Sequence, residues 1–142
     1  MSLSVFKRLM LKTYRPSKKD IYGIHDPKGV QLLFQLRVNL SPLKHHKYSH
    51  HFFDTPNGQC LCNFGIETTC HFLLKCCLFT RPREVLLAKV NPILLAHDMS
   101  QANDDFLTEI LLYGHVSLSF QENVIIMKAT IDFLKASGRL AS

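Results

Sequence analysis

All five cysteines of this 142-residue chain fall between positions 60 and 77, and His71 stands among them. Thiols packed into so short a stretch restrict how that stretch can fold. A disulfide framework accounts for them poorly. The start, MSLSVFKRLMLK, puts Lys7 and Arg8 where a secretory signal needs an apolar run, so the chain reads as intracellular, where thiols stay reduced. An odd count would also leave one thiol unpaired. Metal ligation uses the cluster better. Zinc takes four soft or borderline ligands in a tetrahedron, and three thiolates with one imidazole form a closed set with no position left for water. The spacing Cys60-x-Cys62-x8-His71-x4-Cys76 supplies such a set, and Zn2+ is the cofactor it predicts.

The local setting agrees. Residues 54 to 66, DTPNGQCLCNFGI, read as turn and knuckle, with Gly58 and Gly65 available for backbone conformations that other residues resist. Thr68 or Thr69 can cap a following helix that carries His71 and Cys76. Residues five apart are about 140° out of phase on an ideal helix, so Cys76 is expected where the helix frays or tightens. Cys70 and Cys77 stay open as alternative ligands. Cys76 is preferred because Cys70, beside His71, would point elsewhere while Phe72, Leu73 and Leu74 face the core.

Around the knuckle the chain reads as helix. SLSVFKRLMLKTYR carries Leu3, Phe6, Met10 and Tyr14 on one stripe and ends at Pro16. Asp26-Pro27 opens a helix to about residue 39 that buries Val30, Leu33, Phe34 and Leu36. Ser41-Pro42 starts a short basic helix, PLKHHKYSHHF. REVLLAKVNPILLA follows Pro82 as a helix broken or kinked at Pro92. DDFLTEILLYG is opened by Asn103 or Asp104 and closed by Gly114. In the last segment Ser119 and Glu122 form a capping box, Val124, Met127, Ile131 and Leu134 share a stripe, and Gly138 stops the helix. No strand pair or internal repeat is legible. The class is all-α: a small helical domain with an irregular Cys-Cys-His-Cys zinc knuckle. Its expected divisions are a basic helical arm over 1–51, the knuckle over 52–80 and C-terminal helices over 81–142 packed on the same domain.

Charge is divided unevenly. Residues 1 to 51 hold ten Lys/Arg against two acids, a net of +8, whereas the remainder nets −2. A basic end on a near-neutral body points to an anionic partner. No apolar run approaches the roughly 18 residues that span a bilayer, so no membrane partner is expected. Catalytic signals are missing from the sequence. Cys70 or Cys77 could be drawn as a nucleophile beside a histidine, but no third orienting group suggests itself. Asp104-Asp105 reads as a helix start, and there is no phosphate-binding glycine loop or small-molecule site. His97, His115 and the pairs His45/His46 and His50/His51 read as surface or satisfied helix residues. His46 and His50, four apart, could take metal adventitiously.

The run GIHDPKGVQLLFQLRVNLSPLKHHKYSHHFFDTPNGQCLCNFGIETTCHFLLKC, residues 23 to 76, resembles the region after the reverse-transcriptase core in non-LTR retrotransposon polymerases of the jockey type. The resemblance rests on Leu36-Arg37, on Leu40 to Leu43, on Phe53-Asp54-Thr55 and on Cys60 to Cys76. The tail LLYGHVSLSFQENVIIMKATIDFLKASGRL resembles that family's C-terminal end, so nearly the whole chain is covered. Cys70 stands where an acidic residue commonly precedes the histidine, and Cys77 where proline commonly follows the last cysteine. The aspartate pair of the polymerase and any endonuclease signature are absent from the sequence. The resemblance implies a terminal fragment without the enzyme, whose knuckle helps bind element RNA or target DNA. Lys18, Lys19, Arg37, Lys44 and Lys47 are the expected nucleic-acid contacts, with Tyr14, Tyr22, Phe34, Tyr48, Phe52 and Phe53 interleaved as candidate stacking rings. The alternative is a zinc-stabilised helical module that docks on a protein through Phe106, Leu107, Leu111 and the last helix.

Overall fold

The computed structural model describes residues 24–50 and 57–140. Among them the chain is all-α, with helices α1 (Pro27–Arg37), α2 (Lys44–Ser49), α3 (Thr80–Ala96), α4 (Asp104–Tyr113) and α5 (Phe120–Ser137). Between α2 and α3 lie the knuckle, a π-helical turn over His71–Lys75 and a 3-10 turn over Cys77–Phe79. The nearest approach to a sheet is an isolated antiparallel bridge between Gln59 and Ile66. The expected first helix with its Tyr14 lies outside the described residues, as do Lys18, Lys19, Tyr22, Phe52, Phe53 and the Asp54-Thr55 pair.

Helix starts follow the short-range chemistry. Asp26 accepts the Gly29 N–H at 3.0 Å with Pro27 at the first helical position, and Lys135 reaches the same carboxylate from α5. Asn103 accepts from the Phe106 N–H at 2.8 Å. Ser119 and Glu122 form the reciprocal capping box, and Gly138 closes α5 in the left-handed conformation. Each such cap stabilises a helix by about 1 kcal/mol.

α5 is the axis of the core. Ile126, Met127, Ile131, Phe133 and Leu134 are buried along it, and α1, α3 and α4 all pack against it. α1 comes so close that a Cβ on Gly29 would collide with the Ile131 side chain, so only glycine fits there. Phe72 lies edge-on to Phe79, centroids 5.1 Å apart, and 5.2 Å from Phe133, which ties the knuckle to α5. α3 runs through Pro92 without the expected break, because Leu86, Val90 and Leu94 are buried on both sides of it. One missing N–H is offset by that packing.

Four further expectations change. From Ile24 onward the residues before 51 are no arm, since Leu32, Leu33 and Leu36 share one core with α5. Phe34 faces outward, and Leu32 takes the buried place on α1. Arg37 is not a phosphate contact. It is 2% exposed, its Nε–H donates to the Leu112 carbonyl at 2.6 Å, and its guanidinium lies 5.0 Å from the Tyr113 ring centroid. A planar donor fork satisfies a helix carbonyl while stacking on an aromatic face, which suits arginine to a place inside. The protein-docking surface is reduced likewise: Leu111 is fully buried, and Phe106 and Leu107 pack on the core.

Arg37→Met should therefore lower stability by about 1–3 kcal/mol, the cost of leaving a buried acceptor unmet. Nucleic-acid affinity of the folded variant should stay unchanged. Urea unfolding beside a binding titration checks both, and reduced affinity at unchanged stability would restore the surface role.

Candidate metal centre

The knuckle is a tight turn followed by a widened one. The Cys60 N–H donates to the Gly65 carbonyl at 2.8 Å and the Asn63 N–H to the Cys60 carbonyl at 3.0 Å, which folds residues 60–65 back on themselves. Asn63 (φ 65°) and Gly65 (φ 146°) occupy positive-φ conformations, and Gly65 is one in which a side chain would be strained. Thr68 starts the second turn, accepting the His71 N–H on Oγ1 at 3.1 Å. The Cys76 N–H then reaches the His71 carbonyl at 2.7 Å, an i→i+5 closure. This is the resolution of the phase problem between His71 and Cys76: the helix widens instead of fraying or tightening. A wider turn brings the fifth residue back over the first and still lets Phe72 and Leu73 point into the core.

Cys60, Cys62, His71 and Cys76 converge. Their ligand atoms all lie within 4.8 Å of one another, with Cys60 Sγ 3.6 Å from Cys76 Sγ and Cys62 Sγ 3.3 Å from His71 Nε2. A tetrahedral ion with sulfur at about 2.3 Å and nitrogen at about 2.0 Å needs edges of roughly 3.8 and 3.5 Å, so the four atoms fit one small cation. All the cysteines are free thiols. Cys70 and Cys77, the alternative ligands, fall outside the converging set, and Cys77 is exposed.

The electrostatics favour a cation at that point. Burial pushes the Cys60 thiol up and the Cys76 thiol up to about 12, the Leu78 N–H opposing the rise at Cys76 and the adjacent Cys60 thiol adding to it. Cys62 is held below the usual thiol range by the Phe64 N–H, which donates to its sulfur at 3.4 Å. Burial lowers His71, which keeps its imidazole neutral and able to ligate. Three adjacent sulfurs can all ionise only if a positive charge offsets them.

Two groups that residue spacing did not reveal hold the cage in place. Arg83, at the start of α3, donates from Nε to the Leu73 carbonyl at 2.8 Å and from Nη2 to the Phe72 carbonyl at 3.1 Å. The widened turn leaves those carbonyls without helical partners, and the guanidinium fork supplies both. Glu67 is 3% exposed. It accepts from the Lys44 N–H at 2.7 Å, at the start of α2, and pairs with Arg139 at 2.6 and 2.8 Å. That arrangement joins the knuckle, α2 and the segment just past α5. Glu67 is the lone acid between Asp54 and Glu84 in the sequence, which could have drawn notice, but nothing there points to a partner 72 residues away.

His46 also differs from expectation. It is buried, with Nδ1 2.6 Å from Ser41 Oγ and Nε2 3.1 Å from Thr69 Oγ1, so both ring nitrogens are taken and adventitious metal finds no ligand there. His50 turns to the Asn39 carbonyl at 3.2 Å. Of the expected nucleic-acid contacts, Lys44 and Lys47 lie on α2, half-buried beside the knuckle, and Arg37 is in the core. No protein family, curated protein or solved structure matches the chain.

Two outcomes follow from this geometry. Cys62→Ser should loosen residues 57–80 far more than Cys77→Ser, because only the first removes a converging ligand. Hydrogen exchange on metal-loaded protein reads the difference, and equal loosening by the two would count against the ligand set. Burial, with His45 and His50 nearby, lowers the His46 pKa from 6.5 to about 4. Between those values the unfolded chain binds a proton that the folded one refuses. His46 therefore contributes its full stability above pH 6.5 and loses it as pH falls towards 4, at most about 3 kcal/mol. Urea melts of wild type and His46→Gln at pH 7, 5.5 and 4.5 should differ less as the pH drops.

Proposed function

We propose that this chain is a zinc-stabilised, non-catalytic module that contacts RNA or DNA, the C-terminal portion of a jockey-type non-LTR retrotransposon reverse transcriptase. The observation that carries the reading is the convergence of three sulfurs and one imidazole nitrogen within 4.8 Å, in the order and spacing on which the family resemblance rests. A Cys3His set selects zinc over harder cations, and all four positions are filled by protein, so the ion organises backbone and activates no water. In this reading the metal is structural, and its binding free energy contributes to folding of the knuckle.

Charge gives the partner. The +8 of residues 1 to 51 attracts a phosphate backbone, whereas the −2 of the remainder suits a scaffold. The four cations assigned to the backbone are Lys18, Lys19, Lys44 and Lys47. Lysine–phosphate pairs supply affinity without reading sequence. Such a module acts inside the cell, in nucleus or cytoplasm, wherever its nucleic acid is met. Among the described residues no helix is long and apolar enough to cross a membrane.

Metal analysis should return one zinc per chain. Replacing Lys18, Lys19, Lys44 and Lys47 together by Gln should weaken binding to many sequences alike. It should also reduce the slope of log affinity against log salt by about 0.7 on single strands for each phosphate no longer neutralised. Zinc content should not change. Anisotropy titrations over a salt series decide it, and affinity that ignores both the substitutions and salt would point to the apolar protein-docking alternative.

A further inference from the structure

The knuckle carries a feature that holding a metal does not require. Three large apolar side chains crowd its short turn and stand in solvent: Leu61 at 67% exposure, Phe64 at 82% and Ile66 at 44%. An apolar ring left in water on a rigid turn is a candidate contact surface. Phe64 is placed firmly. Its own N–H bonds to Cys62 Sγ, and it sits between Asn63 and Gly65, both at positive φ, so its direction is set by the same turn that presents the ligands.

The surroundings say what kind of partner fits. α2 lies against the back of the turn. The His45 N–H donates to the Glu67 carbonyl, and a Cβ on Gly58 would touch both Ile66 and the His45 backbone. The exposed Ile66 is thus continuous with the helix that bears Lys44, His45 and Lys47. Among the described residues from Pro27 to Arg83, Glu67 is the only carboxylate, and it is buried against Arg139. Among the described residues of α2 and the turn, cations therefore stand beside a bare aromatic ring and no carboxylate is exposed. A ligand complementary to it has negative charge along its length and flat π faces between the charges.

We infer that the tip of this turn is a stacking platform for an unpaired nucleobase of a single strand, with Phe64 as the ring on which the base lies. Leu61 and Ile66 flank that ring, and α2 faces the adjoining phosphate. The inference rests on the nucleic-acid reading above and deepens it. Stacking needs an accessible base face, which a duplex does not offer, so the platform makes the module prefer single strands.

The test uses the full-length, zinc-loaded chain with a fluorescein-labelled 12-nucleotide single strand and a duplex of the same length. Phe64→Ala should weaken single-strand binding roughly tenfold or more and leave duplex binding and zinc content unchanged. The chain has no tryptophan, so Phe64→Trp places a sole reporter at the tip. That variant should keep single-strand affinity, and its fluorescence should be quenched on binding the strand and not on binding duplex. Equal effects of Phe64→Ala on strand and duplex, or an unquenched Trp variant that still binds, would overturn the platform while leaving nucleic-acid binding in place. No binding of either probe by the wild type would overturn both. Displacement of the strand by polyglutamate at equal charge concentration would assign the surface to an acidic protein and end the proposal.

Discussion

The hydrogen bond from the Cys76 N–H to the His71 carbonyl, 2.7 Å long, sets the geometry on both sides of the turn it closes. An α-helical turn there would swing Cys76 away from His71. With the i→i+5 closure, both ligands face the knuckle while Phe72 and Leu73 enter the core fully buried. The donor set and the hydrophobic core thus share one turn of backbone, and neither can be rearranged without the other. Arg83 makes this irregular turn tolerable by taking the two carbonyls that the widening leaves open. A buried guanidinium is costly to desolvate, and here that cost is offset by acceptors that would otherwise be unmet.

Glu67 plays the corresponding part on the other face of the knuckle. Its carboxylate meets Arg139 and the start of α2, and its backbone holds Gly58 and His45, so one residue joins three parts of the chain. His46 adds a neutral link from α2 to Thr69, two residues before His71. The buried pair and the buried imidazole differ in consequence. Arg139 is held even further above its usual pKa by the Glu67 carboxylate, so its charge persists across the physiological range. His46 is stable only while uncharged, which makes α2 the acid-sensitive edge of the site.

The electrostatic plan follows from where the acids went. Among the described residues Glu67 is folded inward beside the knuckle, and exposed acids of the later helices pair with lysines, as Asp104 does with Lys75 and Asp132 with Lys89. Each of those pairs is solvent-exposed and worth about 0–1 kcal/mol. The Asp104–Lys75 pair joins α4 to the widened turn of the knuckle.

Much was legible in the residues because its physics is local. Asp26-Pro27, Asn103, the Ser119/Glu122 box and Gly138 announce helix ends through bonds that span three or four residues. The Cys60, Cys62, His71, Cys76 set was legible because zinc chemistry restricts both ligand type and spacing. Phe34 and Arg37 were misplaced because helical periodicity defines a stripe and not which neighbour covers it: Leu112 and Tyr113, some 75 residues on, decide that Arg37 goes inside. Pro92 stays helical for the same reason, as packing on both sides of it outweighs one missing bond. The Arg83 fork had no sequence signal; the phase mismatch between His71 and Cys76 announced an irregular turn but not its widening, and the lone acid Glu67 gave no hint of Arg139. By itself the sequence determined the helical class, most helix ends and the pool of candidate donor residues, since these depend on residue type and on bonds between near neighbours. Only the tertiary structure decided which charges are buried and which ring stays in water, because burial depends on packing between residues far apart in the chain.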